Sequence, residues 1–191
     1  MGQLVKSYGL KIGMIAATQS YDYHDHPTLH GSLKTSYRWG FAVGGEVGFV
    51  ESSLINIATE VLYVQKGYSI QLENISVQYP EGTGELILLR PRADYISIAP
   101  VARVRVMSAP PHPYALVEPR LDFLIGKDNL GLDLNSLDAG ATVGIGVEFS
   151  LALFPGFFVE GRFSPSFTNA FRGQYLTVRN RSFEILTGLR F

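Results

Sequence analysis

The chain has 191 residues, no cysteine, 46% hydrophobic and 17% charged residues, 12% aromatics and a formal net charge of −1. Disulfide frameworks, thiolate metal sites and cysteine nucleophiles are therefore excluded, and the aromatic content is too high for a disordered chain. The near-neutral balance lacks the positive field that a nucleic-acid partner demands, so none is expected.

The length suits one domain, expected to span residues 1–191. The N-terminal residues show no charged segment followed by an apolar one, so no signal peptide stands there; a secreted chain is expected to have lost it. The longest stretch free of Asp, Glu, Lys and Arg covers residues 106–117 and contains three prolines. A spanning helix needs about 20 apolar residues, so none is encoded, whereas a spanning strand needs only about 9–11 residues of alternating character.

Alternation runs through the chain, and no helical stripe does. In chain order, Tyr8, Leu10, Ile12 and Met14 alternate with Ser7, Gly9, Lys11 and Gly13. Trp39, Phe41, Val43, Val47 and Phe49 alternate with Gly40, Ala42, Gly44, Glu46 and Gly48. Over residues 55–65, Ile57, Val61 and Tyr63 oppose Asn56, Ala58 and Glu60; over 95–106, Ile96, Ile98, Val104 and Val106 oppose Ser97, Ala99, Arg103 and Arg105. Residues 114–125 set Val117, Leu121, Phe123 and Ile125 against Glu118, Arg120 and Asp122, and residues 139–149 set Ala141, Val143, Ile145, Val147 and Phe149 against Thr142, Gly144, Gly146 and Glu148. Val159 and Phe163 oppose Glu160 and Arg162, and finally Phe183, Ile185, Leu189 and Phe191 oppose Glu184, Gly188 and Arg190. Eight strands are predicted.

Their connections alternate in length. Residues 50–54, 108–113 and 150–156 are short turns, while 17–38, 67–93, 126–138 and 168–181 are longer and more polar. Short turns at one end and long loops at the other predict an all-β, eight-stranded antiparallel up-and-down transmembrane β-barrel, with periplasmic turns and extracellular loops. Some alternation within residues 68–89 predicts a hairpin that carries the third and fourth strands beyond the membrane.

The alternative is a soluble lipocalin-like ligand carrier, and the two differ in which face is inside. One face of these strands collects Lys11, Glu46, Glu60, Arg103, Arg105, Glu118, Arg120, Asp122, Glu148, Glu160, Arg162, Glu184 and Arg190, six basic and seven acidic residues, and the other face has none. Small residues share the charged face, among them Gly9, Gly13, Gly40, Gly44, Gly144, Gly146 and Gly188. They make room for long charged side chains inside a narrow lumen, while the large apolar residues point to lipid. Charges of nearly equal number must pair there, with Arg103, Arg105 and the other lumen cations all open as partners of Glu46 and Glu60. A lumen filled in this way is expected to be a plug and not a diffusive pore. Trp39, Tyr63 and Phe183 are expected at the outer rim, with Phe49, Tyr114, Phe157 and Phe191 at the inner one.

The chain ends Thr187-Gly-Leu-Arg-Phe191, and Gly188, Leu189 and Phe191 resemble the C-terminal signature read by barrel-assembly machinery. Tyr8-Gly-Leu-Lys-Ile-Gly13, Glu60-Val-Leu-Tyr-Val-Gln-Lys-Gly67, Tyr95-Ile-Ser-Ile-Ala-Pro100, Val143-Gly-Ile-Gly-Val-Glu-Phe149 and Val159-Glu-Gly-Arg-Phe163 resemble the PorT-like outer-membrane β-barrel family, related in architecture to OmpX and the barrel of OmpA. The resemblance implies a Gram-negative outer-membrane location. It also implies outer-membrane lipid and barrel-assembly machinery as partners, and a role in envelope integrity, adhesion or an accessory secretion complex. Where such proteins are expected to carry an acidic residue, the fourth strand has Ser97.

Three histidines, His24, His26 and His30, lie close to Asp22 in the first long loop, a ligand set suited to a transition metal, though no rigid element is visible to hold it. A lipid-modifying barrel enzyme would have His24, His26 and Asp25 as its base and orienter; no Gly-x-Ser-x-Gly elbow accompanies them. The fourth histidine, His112, is expected to be exposed in a turn. Gly140 to Gly146 lacks the helix of a dinucleotide site, no cofactor is expected, and the reading is a non-enzymatic barrel. Leu72, Ile75, Val77 and Tyr79 of the second loop would offer a strand edge to a protein partner.

Overall fold

Runs of Val, Ile, Tyr and Phe alternating with Gly, Ser and charged residues suit a pleated surface with two different faces. The computed structural model describes residues 4–23, 35–73, 86–107, 110–128, 134–151, 154–171 and 176–191. Ten strands occur among them: β1 (Ser7–Tyr23), β2 (Arg38–Glu51), β3 (Ile55–Gly67), β4 (Ile70–Glu73), β5 (Leu86–Leu89), β6 (Arg92–Arg105), β7 (His112–Lys127), β8 (Leu137–Leu151), β9 (Phe154–Pro165) and β10 (Leu176–Arg190). Eight of them close antiparallel in the order β1-β10-β9-β8-β7-β6-β3-β2, and β4 and β5 form a separate two-stranded sheet.

Closure leaves the barrel wall without an unpaired edge. The seam between first and last strands pairs from Gly9–Arg190 to Tyr23–Leu176. Beyond it, Tyr8 and Phe191 exchange backbone hydrogen bonds of 3.0 and 2.7 Å, so both chain ends lie at the end of the short turns. Ladder irregularities fall at Gly48/Val50, Asp94/Tyr95 and Phe149/Leu151, two of them beside those turns, where bulges bend a strand and end its pairing.

The strands are longer than the sequence periodicity indicated. β1 continues to Tyr23 inside what reads as a loop, because Ile15, Ala17, Gln19 and Tyr21 keep the inward parity of Lys11 while their small or polar neighbours mute the alternation. Residues 68–89 hold the expected hairpin, but as the detached β4–β5 sheet. Gly67 makes that departure possible: its φ is +148°, and a Cβ would lie 2.1 Å from the Pro91 carbonyl oxygen. A larger residue is excluded there on both counts.

Candidate functional site

The pleat sends every second residue into the lumen, where an eight-stranded barrel is just wide enough for side chains. Cross-strand pairing then decides which long side chains fit. Lys11 faces Gly44 and Gly188, Glu46 faces Gly9, Arg162 faces Gly144, Glu160 faces Gly146, and Arg120 faces Gly140. Aromatic rings use the same device. Tyr114 faces Gly146, where a Cβ would sit 2.5 Å from the ring, and Phe158 likewise covers Gly188. The inward glycines therefore make a lumen of large-against-small pairs.

From mid-barrel to the turn end, five cations and five carboxylates interlock. Lys11 Nζ lies 3.0 Å from Glu46, 2.6 Å from Glu60 and 3.2 Å from Glu160. Arg103 reaches Glu60 at 2.7 Å and Glu160 at 3.3 Å, and is bonded to Glu46. Arg162 spans Glu60 at 2.9 Å, Glu118 at 3.1 Å and Glu160. Toward the turn end, Arg190 joins Glu46 at 2.8 Å to Glu148, which also meets Arg105 at 3.4 Å. Tyr114 donates to Glu160 at 2.7 Å, and Asn56 accepts from Arg103 at 3.0 Å. Phe158 has Lys11 at 5.0 Å and Arg190 at 5.2 Å from its ring centre, within cation–π range. Each ion here meets an opposite charge, which offsets the several kcal/mol that burying it costs.

A second, smaller cluster lies toward the loop end. Lys66 is 2.5 Å and Arg120 3.0 Å from Asp122, while Glu184 accepts from Ser182 at 2.9 Å. Asp138 accepts from Ser166, Thr168 and Asn180 at 2.7, 2.7 and 2.8 Å. Gln19 continues the chain from Asn180 to Tyr21. Above it Tyr21 packs edge-on to Tyr68 at 5.7 Å, with Ala170 and Val178.

Of the thirteen charges singled out in the sequence, twelve are buried, and Arg105 sits half-buried at the turn end. Glu46 and Glu60 both meet Arg103 and not Arg105. Ser97 is buried directly across the ladder from Asp122. Two expectations need correction. Tyr114 belongs to no rim: it is 2% exposed and inside, since it shares the even-numbered parity of Glu118 and Arg120. Nor are all large apolar residues outside, because Ile15, Leu62, Leu186, Val101, Leu116 and Phe158 are buried in the lumen wall, where a facing glycine, or Ala58 opposite Val101, admits them. Asn56, on the inward face by its alternation, is buried as well, whereas Lys66 and Asp138 lie outside the alternating stretches; the parity of Glu60 marks Lys66, because β3 runs on to Gly67.

The histidines 24, 26 and 30, with Asp25, lie outside the described residues, as do Ile75, Val77 and Tyr79 of the hairpin segment. Among the described residues no group of three or more His, Cys, Asp or Glu is arranged to hold a metal ion. His112 opens β7, half-buried, with Nδ1 3.4 Å from the Met107 carbonyl oxygen.

The outer wall is the reverse of the lumen. Leu10, Ile12, Met14, Val43, Val61, Ile98, Val117, Val143, Ile145 and Ile185 are all exposed. Exposed Trp39 and Phe183 lie toward the loops, Phe149, Phe157 and Phe191 toward the turns, and Phe163 stacks on Phe183 at 4.9 Å. An apolar band flanked by aromatics around a polar interior is the pattern of a barrel solvated by lipid, and it excludes the soluble carrier.

Comparison with known proteins agrees with this architecture. The outer membrane protein β-barrel domain family matches residues 6–172. Among solved structures, the outer membrane protein OprG from Pseudomonas aeruginosa is 10% identical, covering 100% of this chain and 98% of that one with a TM-score of 0.54. The outer membrane protein AlkL, determined by solid-state NMR in lipid bilayers, is 12% identical over 100% of this chain and 92% of its own, also at 0.54. Ail, the attachment invasion locus protein of Yersinia pestis, is 13% identical over 97% and 98% with a TM-score of 0.45. No curated protein sequence matches.

Proposed function

Because the chain belongs to the outer membrane protein β-barrel domain family, and so is a bacterial outer-membrane protein, we propose that it acts as a plugged, non-enzymatic interaction barrel. The single observation that carries this reading is the mid-barrel lattice of Lys11, Arg103, Arg162 and Arg190 with Glu46, Glu60, Glu118 and Glu160. It fills the cross-section with mutually bonded side chains, and a fixed plug makes the wall a rigid mount for whatever the loops present.

Contact with a partner then falls to the extracellular end. β4 and β5 pair only with each other among the described residues; Ile70 packs on the Tyr21–Tyr68 cluster at the loop end of the barrel, while Leu86, Ile87 and Leu88 are exposed, which suits strand addition by another protein. The resemblance of several strand segments to the PorT-like family favours an accessory role in a secretion or envelope complex. Gly188, Leu189 and Phe191, the last two exposed on the lipid side, are assigned to recognition by the assembly machinery.

The test is electrical and chemical together. Full-length protein refolded into planar bilayers is expected to give no stepwise conductance, and incubation with outer-membrane lipid is expected to release no fatty acid. Stable channel steps would overturn the plug, and lipid turnover lost in a His24→Ala, His26→Ala variant would overturn the non-enzymatic reading.

A further inference from the structure

We infer that the outer wall at Gly161 is a binding site for one phosphorylated, acylated lipid of the outer leaflet. The outward row of β9 runs Phe157, Val159, Gly161, Phe163, and at Gly161 it has no side chain. Across the ladders on either side stand Ile145 and Ile185, 72% and 64% exposed. With Val143, Phe163 and Phe183 they wall a wide-open apolar groove of about 600 Å³ on the outer face. A Cβ built on Gly161 meets nothing within 4 Å, so close packing of the fold does not explain the glycine. The groove opens onto the hydrocarbon layer, and its lining suits an acyl chain.

The charge above it names the rest of the occupant. On β10 the outward row that carries Ile185 and Phe183 continues to Arg181 and Arg179, both exposed. Neither has an acidic partner among the described residues. Arg181 pairs with Pro165 on β9, four residues from Ile185, or roughly 13 Å at a strand's rise per residue. That offset puts two guanidinium groups at the extracellular boundary, directly over the groove. Guanidinium binds phosphate through paired hydrogen bonds, so an anionic phosphorylated head and an apolar chain are met by one continuous surface.

Native mass spectrometry of the full-length protein in neutral detergent, with diphosphorylated lipid A as the probe, tests this. One retained lipid is expected, and the form stripped of phosphate is expected to be held about tenfold more weakly. Gly161→Trp, whose Cβ has open space and whose ring would occupy the groove, is expected to lose the adduct, and R179Q/R181Q to lose the preference for phosphate. Ile98→Trp on β6, three strands away around the wall, is expected to bind as the unsubstituted chain does. Heat-dependent migration of each variant verifies that the barrel has formed. Equal retention of both lipid forms, an unaltered adduct in Gly161→Trp, or a protein dimer in place of the lipid adduct would each overturn the assignment.

Discussion

Among the described residues, Glu160 is the lumen carboxylate with the most bonded partners. It is met by Lys11, Arg103 and Arg162 and accepts a hydrogen bond from Tyr114. Replacing one partner of a buried pair leaves the others uncompensated in a site that water does not refill. Glu160→Gln is therefore expected to cost about 3–5 kcal/mol, read as a lower urea midpoint for loss of the fast-migrating folded band. A change no larger than that of an outward substitution such as Ile98→Val would show that the lattice contributes little. Steric fit makes a second, independent expectation. Gly146→Val places a branched side chain against the Tyr114 ring and is expected to cost about 1–3 kcal/mol. Adding Tyr114→Ala is expected to recover part of that loss, a coupling that a double-mutant cycle measures; strict additivity would mean that the ring and the glycine are not in contact.

At the scale of the element, the wall was legible because period-2 alternation is an all-or-nothing signal: once Glu118, Arg120 and Asp122 face inward, a slip of one residue would expose all three to lipid. The same rule already contains Tyr114 and Lys66, which were lost by reading rim chemistry and strand ends before parity. Pairing within the lumen was not legible, since Arg162 reaches Glu60 from β9 to β3 across the barrel, a relation set by strand tilt and stagger and not by spacing along the chain. The detached hairpin was half legible, its alternation being plain while its separation depends on the backbone of Gly67. From that separation follows a third expectation. Leu86→Lys with Leu88→Lys alters two exposed side chains of β5, so the unfolding midpoint is expected to stay within about 0.5 kcal/mol, while cross-linking to neighbours on intact cells falls. A drop in barrel stability would show that the exposed row of β5, and not Ile70 of β4 alone, is packed against the wall.

For the whole molecule, the decisive event is closure of the last strand on the first. The β1–β10 ladder is continuous from Gly9–Arg190 to Tyr23–Leu176, and Phe191 adds only the terminal exchange with Tyr8. Its ring projects into the lipid-facing surface, making no lumen contact, and so contributes little to holding a barrel that has already closed. Yet it is the outward aromatic that the C-terminal resemblance assigns to recognition during assembly. The two roles separate by experiment. Phe191→Ser is expected to refold in detergent micelles with an unfolding midpoint within about 0.5 kcal/mol of the unsubstituted chain, while its level in the membrane fraction of cells falls several-fold. Equal losses in both measurements would make the residue a clasp on the seam, and no loss in either would remove it from the assembly signal. With the first outcome, insertion into the membrane and stability within it rest on different atoms of the same strand, the outward Phe191 for the one and the inward Glu184 and Arg190 for the other.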